Sequence, residues 1–139
     1  MQATKNGSQS GFLLIEALIA LLLFSIGMLG LIGMQASAAK VAADSQYRAE
    51  AGMHVDHLLS EMRSSGNPQT LAVDYADGSP RLQAWIDRIQ NPTTGLPGAA
   101  TVPPTVTIVG TPATVTVTVS WQAPGETVPH RFVAVATIS

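Results

Sequence analysis

Residues 12–34 read FLLIEALIALLLFSIGMLGLIGM, a run of 23 positions with one charge, Glu16. A helix crossing a bilayer needs about 20 mostly apolar residues, so this run is long enough to span a membrane. It also explains the composition. Hydrophobic residues make up 46% of the 139-residue chain and charged residues 12%, where about 25% charged is usual for a globular domain. Without the run, the remainder reads as an ordinary small domain with a polar surface. Residues 1–11, MQATKNGSQSG, are polar and carry a single Lys. A secretory signal places its small cleavage-site residues after the apolar stretch. Here Gly11 stands before it, so a cut at that glycine would leave the helix on the mature chain and make residues 1–11 a leader peptide.

Beyond Met34 nothing breaks the helix until Ser64-Ser65-Gly66-Asn67-Pro68, a dense cluster of stop signals. Over 35–64 the pattern becomes amphipathic. Tyr47, Ala51, Val55, Leu58 and Met62 form one apolar stripe, with Arg48, Asp56, Ser60 and Arg63 away from it. A continuous helix over 12–64 would be about 80 Å long at 1.5 Å per residue. Gly27, Gly30 and Gly33 lie inside the apolar half. Each costs about 1 kcal/mol of helix propensity relative to Ala. They read either as sites of close helix–helix approach or as small residues that a membrane span tolerates.

The rest of the chain, 65–139, predicts a small head. Asp77-Gly78 is a turn, and Ser79 caps a short helix with Pro80 in its first position. Leu82, Trp85, Ile86 and Ile89 make its apolar face, which ends near Asn91-Pro92. A Gly- and Pro-rich loop with Leu96-Pro97-Gly98 follows. Val106 and Ile108 then alternate with Thr105 and Thr107. Val115, Val117, Val119 and Trp121 alternate with Thr114, Thr116, Thr118 and Ser120, the cleanest period-2 pattern in the chain. A turn at Pro124-Gly125 leads to a last strand over 131–138. Three strands with short links predict an antiparallel meander with one face covered by the long helix, an α+β fold. A head of this size has a thin core, and the amphipathic half of the helix is expected to complete it.

Several functional classes have no footprint. The net charge is −2 and there is no basic tract, so nucleic acid is not an expected partner. With no cysteine, neither disulfides nor thiol chemistry is available. No Gly-x-Ser-x-Gly elbow, phosphate loop or His-Glu-x-x-His occurs, so the chain is not expected to be an enzyme. Glu50, His54, His57 and Glu61 share one side of the predicted helix. They flank the apolar stripe, where solvated polar residues belong, and neither a metal nor another cofactor is expected. Asp74 and Asp77 bracket a turn without the spacing of a calcium loop. His130, near Glu126, is expected at the surface. Trp85 and Trp121 are expected in the core.

Gly11-Phe12-Leu13-Leu14-Ile15-Glu16 resembles the cleavage and methylation motif of type IV prepilins, with Leu13 standing where Thr or Ser is common. The resemblance implies that a prepilin peptidase cuts between Gly11 and Phe12 and N-methylates Phe12. It implies a cytoplasmic leader, an inner-membrane helix and a periplasmic head. Lys5, Lys40 and Arg48 flank the span on both sides and do not fix the orientation by charge. It further implies that Glu16 pairs with the Phe12 α-amino group of a neighbouring subunit. That amine has an ordinary pKa of about 7.7–8.0, and the pairing would offset the desolvation of two buried charges and set the register between subunits. The other account of Glu16 places it at the membrane edge, its carboxylate snorkelling to the headgroups.

Downstream, Ile26-Gly27-Met28-Leu29-Gly30-Leu31, Met62-Arg63 with Asn67-Pro68, Leu82-x-x-Trp85, Leu96-Pro97-Gly98 and the strand end Thr118 to Trp121 together resemble the PilV-like minor pilins, the type IV pilus modification proteins. As partners this implies other minor pilins, the major pilin and a tip adhesin. As function it implies initiation of pilus assembly, and through it twitching motility and cell adhesion. A minor pseudopilin of a type II secretion system shares the leader and helix and is the alternative.

Overall fold

The computed structural model describes residues 9–65 and 67–139. Most of the expected leader (1–8) and Gly66 of the breaker cluster lie outside the described residues. The fold is α+β. Helix α1 (Gln9–Ser64) is followed by a one-turn helix α2 (Leu71–Asp74), helix α3 (Pro80–Ile89) and strands β1 (Thr105–Val109), β2 (Ala113–Trp121) and β3 (His130–Ile138). The single sheet has the order β1-β2-β3, antiparallel throughout. The long helix and the meander stand as expected. The α2 turn is an addition, because four residues with Leu71 as their one buried side chain carry no readable period.

Two compact units divide the chain at Ala42 and Ala43. In the first, every residue of α1 from Gly11 to Ala42 is exposed. In the second, Ala51, Val55, Leu58, Leu59 and Met62 of α1 are buried in one core with Leu82, Trp85 and Ile89 of α3 and with Val115, Val117, Val119 and Trp121 of β2. Ala51, Val55, Leu58 and Met62 recur every three or four positions, with Leu59 beside Leu58, so they share one helix face, and Tyr47 packs half-buried at its start. Full burial of a Val- or Leu-sized side chain contributes about 1.5–3 kcal/mol, which is the gain the amphipathic half of the helix brings to a thin head.

In β2 the odd-numbered residues from Ala113 to Trp121 are buried, and Thr114, Thr116 and Thr118 are half-exposed on the other face. The alternation lapses only at Ser120, which is buried. Nine uninterrupted pairs join β2 to β3, from Ala113↔Ile138 to Trp121↔His130, and five join it to β1.

Helix α3 begins as its sequence predicts. The backbone N–H of Leu82 donates to Ser79 Oγ at 3.4 Å, and Pro80 occupies the first turn. Its end is held by a tight loop. Asn91 Oδ1 accepts from the N–H groups of Thr93 and Thr94, and Leu96 N–H donates back to Ile89 O at 2.9 Å. The chain passes so close here that a Cβ on Gly95 would lie 2.1 Å from Ile89 O. At Gly98, φ is +72° and a Cβ would lie 2.8 Å from Gln122 Cβ. The adjacent Gln122 N–H donates to Pro97 O at 2.8 Å, tying the loop to the end of β2.

Candidate assembly site

The exposed half of α1 is the feature that the head does not explain. Phe12 is 72% exposed, and Leu13, Leu14, Ile15, Leu18, Ile19 and the following large apolar side chains are similarly open. A soluble monomer rarely exposes a contiguous apolar surface of more than a few hundred Å². This surface therefore requires an apolar surrounding, either lipid or other helices. Among the described residues α1 is the one helix long and apolar enough to cross a membrane, as a single anchor or a signal would.

Glu16 lies within this surface, exposed, with no hydrogen-bond or ion-pair partner among the described residues. It is the sole charge between Phe12 and Ala39. Gly11 and Phe12 lie one turn before it on the same helix, both exposed. A Cβ built at Gly11, Gly27, Gly30 or Gly33 meets nothing within 4 Å. Among the described residues no contact requires those glycines. The sequence predicts Glu16 to be the important charge, and among the described residues the structure gives it no partner.

The polar residues on the later part of α1 have structural work to do. His54 offers its backbone carbonyl to the indole N–H of buried Trp85 at 2.9 Å, pinning α3 across α1. The His54 side chain is half-buried and stands 4.0 Å from Glu50. Burial pushes its pKa below the ordinary value. Glu50 opposes that shift, and Arg88 and His57 add to it. The described residues show no group of three or more possible ligands that gathers around one point. Asp74 accepts from the Thr70 hydroxyl at 2.8 Å and belongs to the α2 turn.

His130 is placed differently from its expectation. It is half-buried, stacked on Trp121 with ring centroids 5.7 Å apart and planes inclined by 16°. Its Nε2 lies 2.6 Å from Glu126 Oε2 and its Nδ1 3.4 Å from Asp44 Oδ1. The imidazole thus bridges the β2–β3 loop and α1. Only Glu126, four residues away, was visible in the sequence as a neighbour. Asp44 lies 86 positions earlier, and no local pattern announces the contact.

Compared with known proteins, the chain matches no family model, and neither a curated protein nor a solved structure is significantly similar to it. The architecture itself, a long N-terminal apolar helix followed by a small antiparallel sheet, is pilin-like.

Proposed function

We propose that the chain is a minor pilin of a type IV pilus. A prepilin peptidase cuts its leader after Gly11 and N-methylates Phe12. Helix α1 anchors the subunit in the inner membrane with the head in the periplasm. The subunit then joins other minor pilins and the major pilin in starting the filament, near a tip that carries an adhesin, and so serves twitching motility and adhesion. The observation that supports this most is the bare apolar helix from Gly11 to Ala42 with Glu16 as its lone carboxylate. A charge in such a surface costs at least about 2.5–3.5 kcal/mol in a bilayer, so it calls for a cationic partner. A methylated amine at Phe12 of the next subunit supplies one.

The test is processing. Gly11→Ala or a bulkier replacement, expressed with the peptidase, should accumulate as a precursor longer by the leader and stay out of filaments. Normal trimming of that variant on a gel would contradict the proposal.

A further inference from the structure

We propose that His130 is a pH-operated latch, whose protonation fastens the β2–β3 loop to the turn of α1 at Asp44. The latch uses groups of the head alone and is independent of the pilus reading. Trp121, at the end of β2, holds the imidazole face to face, with ring centroids 5.7 Å apart. In that position the two ring nitrogens meet carboxylates from different elements. Nε2 lies 2.6 Å from Glu126 Oε2 in the loop, and Nδ1 lies 3.4 Å from Asp44 Oδ1 on α1. The loop presents Glu126 from a tight turn. Glu126 N–H donates to Ala123 O at 3.1 Å, Gln122 Nε2 donates to Glu126 O at 2.6 Å, and Gly125 has a φ of +84°.

The number of donors decides what the proton does. An ionised carboxylate only accepts hydrogen bonds, and a neutral imidazole has one N–H. The neutral ring can therefore serve Glu126 or Asp44 and not both. Glu126 is the nearer. Asp44 Oδ1 is left buried with no hydrogen-bond partner among the described residues, opposite a ring nitrogen that carries a lone pair. An unmet buried acceptor is unfavourable, and 3.4 Å is longer than the usual N–H···O distance of about 2.7–3.2 Å. A second proton turns Nδ1 into the missing donor. The imidazolium then donates to both carboxylates, in charge-assisted bonds that are shorter and stronger than neutral ones.

Imidazole is the side chain whose ordinary titration falls between pH 5 and pH 8. Next along the same elements are the cations Lys40 and Arg48, one turn either side of Asp44 on α1, and Arg131, which follows His130 on β3. Lysine, arginine and carboxylate side chains ordinarily titrate outside that range. Asp44 stands two residues beyond Ala42, the last position of the bare stretch of α1, so the latch closes where α1 joins the head. Below the pH at which the imidazole gives up its second proton, both ties hold. Above it the Asp44 tie opens, the loop keeps Glu126 alone, and the turn of α1 at Asp44 loosens.

Hydrogen–deuterium exchange of the full chain in detergent micelles tests this locally, in peptides that cover 43–50. Acidification also charges His54, so global unfolding does not isolate the latch. Wild type is compared with D44A and with H130F, which keeps a ring against Trp121, each at the same pH so that the intrinsic exchange rate cancels. At pH 5, residues 43–50 of wild type should exchange about two- to fivefold more slowly than in either variant, the range of a partly exposed ion pair. At pH 8 the three chains should exchange alike. Equal exchange at pH 5, or the same difference at both pH values, overturns the proposal. NMR of the isotope-labelled imidazole in the unsubstituted chain provides a measurement that does not depend on the variants folding. At pH 8 the single ring proton should sit on Nε2, against Glu126, and at pH 5 both nitrogens should be protonated. A proton on Nδ1 at pH 8 overturns the proposal, because Asp44 then has its donor without the second proton.

Discussion

At the scale of single residues, Glu16 and His54 show how surroundings decide what a charge does. Glu16 has no partner among the described residues, and the proposed role for it is in assembly. Breaking a buried ion pair by removing one partner costs about 3–5 kcal/mol. Glu16→Ala should therefore leave membrane insertion intact and lower incorporation into filaments by roughly a hundredfold or more, measured by immunoblot of sheared filaments against membranes. Unchanged incorporation would show that the carboxylate pairs with nothing. His54 works inside the head. Because burial lowers its folded pKa, the unfolded chain takes up a proton first on acidification. The contribution of the neutral imidazole is therefore complete above the unfolded value of about 6.5 and fades as pH falls below it, through the folded pKa. Thermal unfolding from pH 8 to pH 5 should show this acid-side loss, reduced in His54→Gln.

Elements were legible in proportion to how local their causes are. Helix α3 could be read from its Ser79-Pro80 start and four apolar positions, and the structure places its cap, its core face and its end accordingly. The meander could be read because Val-Thr alternation has a period of two whichever strands are neighbours. The α2 turn and the bridge from His130 to Asp44 could not, since each depends on tertiary contacts between segments with no shared pattern. The loop after α3 is intermediate. Its Gly and Pro content announced a loop, but the need for glycine at 95 arises from one close approach to Ile89 O. Gly95→Ala should destabilise the head by about 1–3 kcal/mol or more, read from denaturant midpoints. By contrast, a Cβ at Gly27 meets nothing within 4 Å among the described residues, and Gly27→Ala should leave head stability unchanged. If Gly95→Ala proved equally silent, the loop would not pack as described.

For the molecule as a whole, one helix serves two environments. Its residues 51–62 complete a core that the head would otherwise lack, and its residues 11–42 are bare. Nothing in the folding of the head requires the bare part, so its cause must lie outside the monomer. An apolar exterior would account for the length of the run, and the proposed partner cation would account for its one carboxylate. The proposal then requires removal of residues 1–11, because an uncleaved leader keeps the Phe12 nitrogen in a neutral amide. The most direct measurement is intact-mass and N-terminal analysis of the chain recovered from sheared filaments. The account predicts a chain that begins at N-methylated Phe12. A chain still carrying residues 1–11 would contradict it.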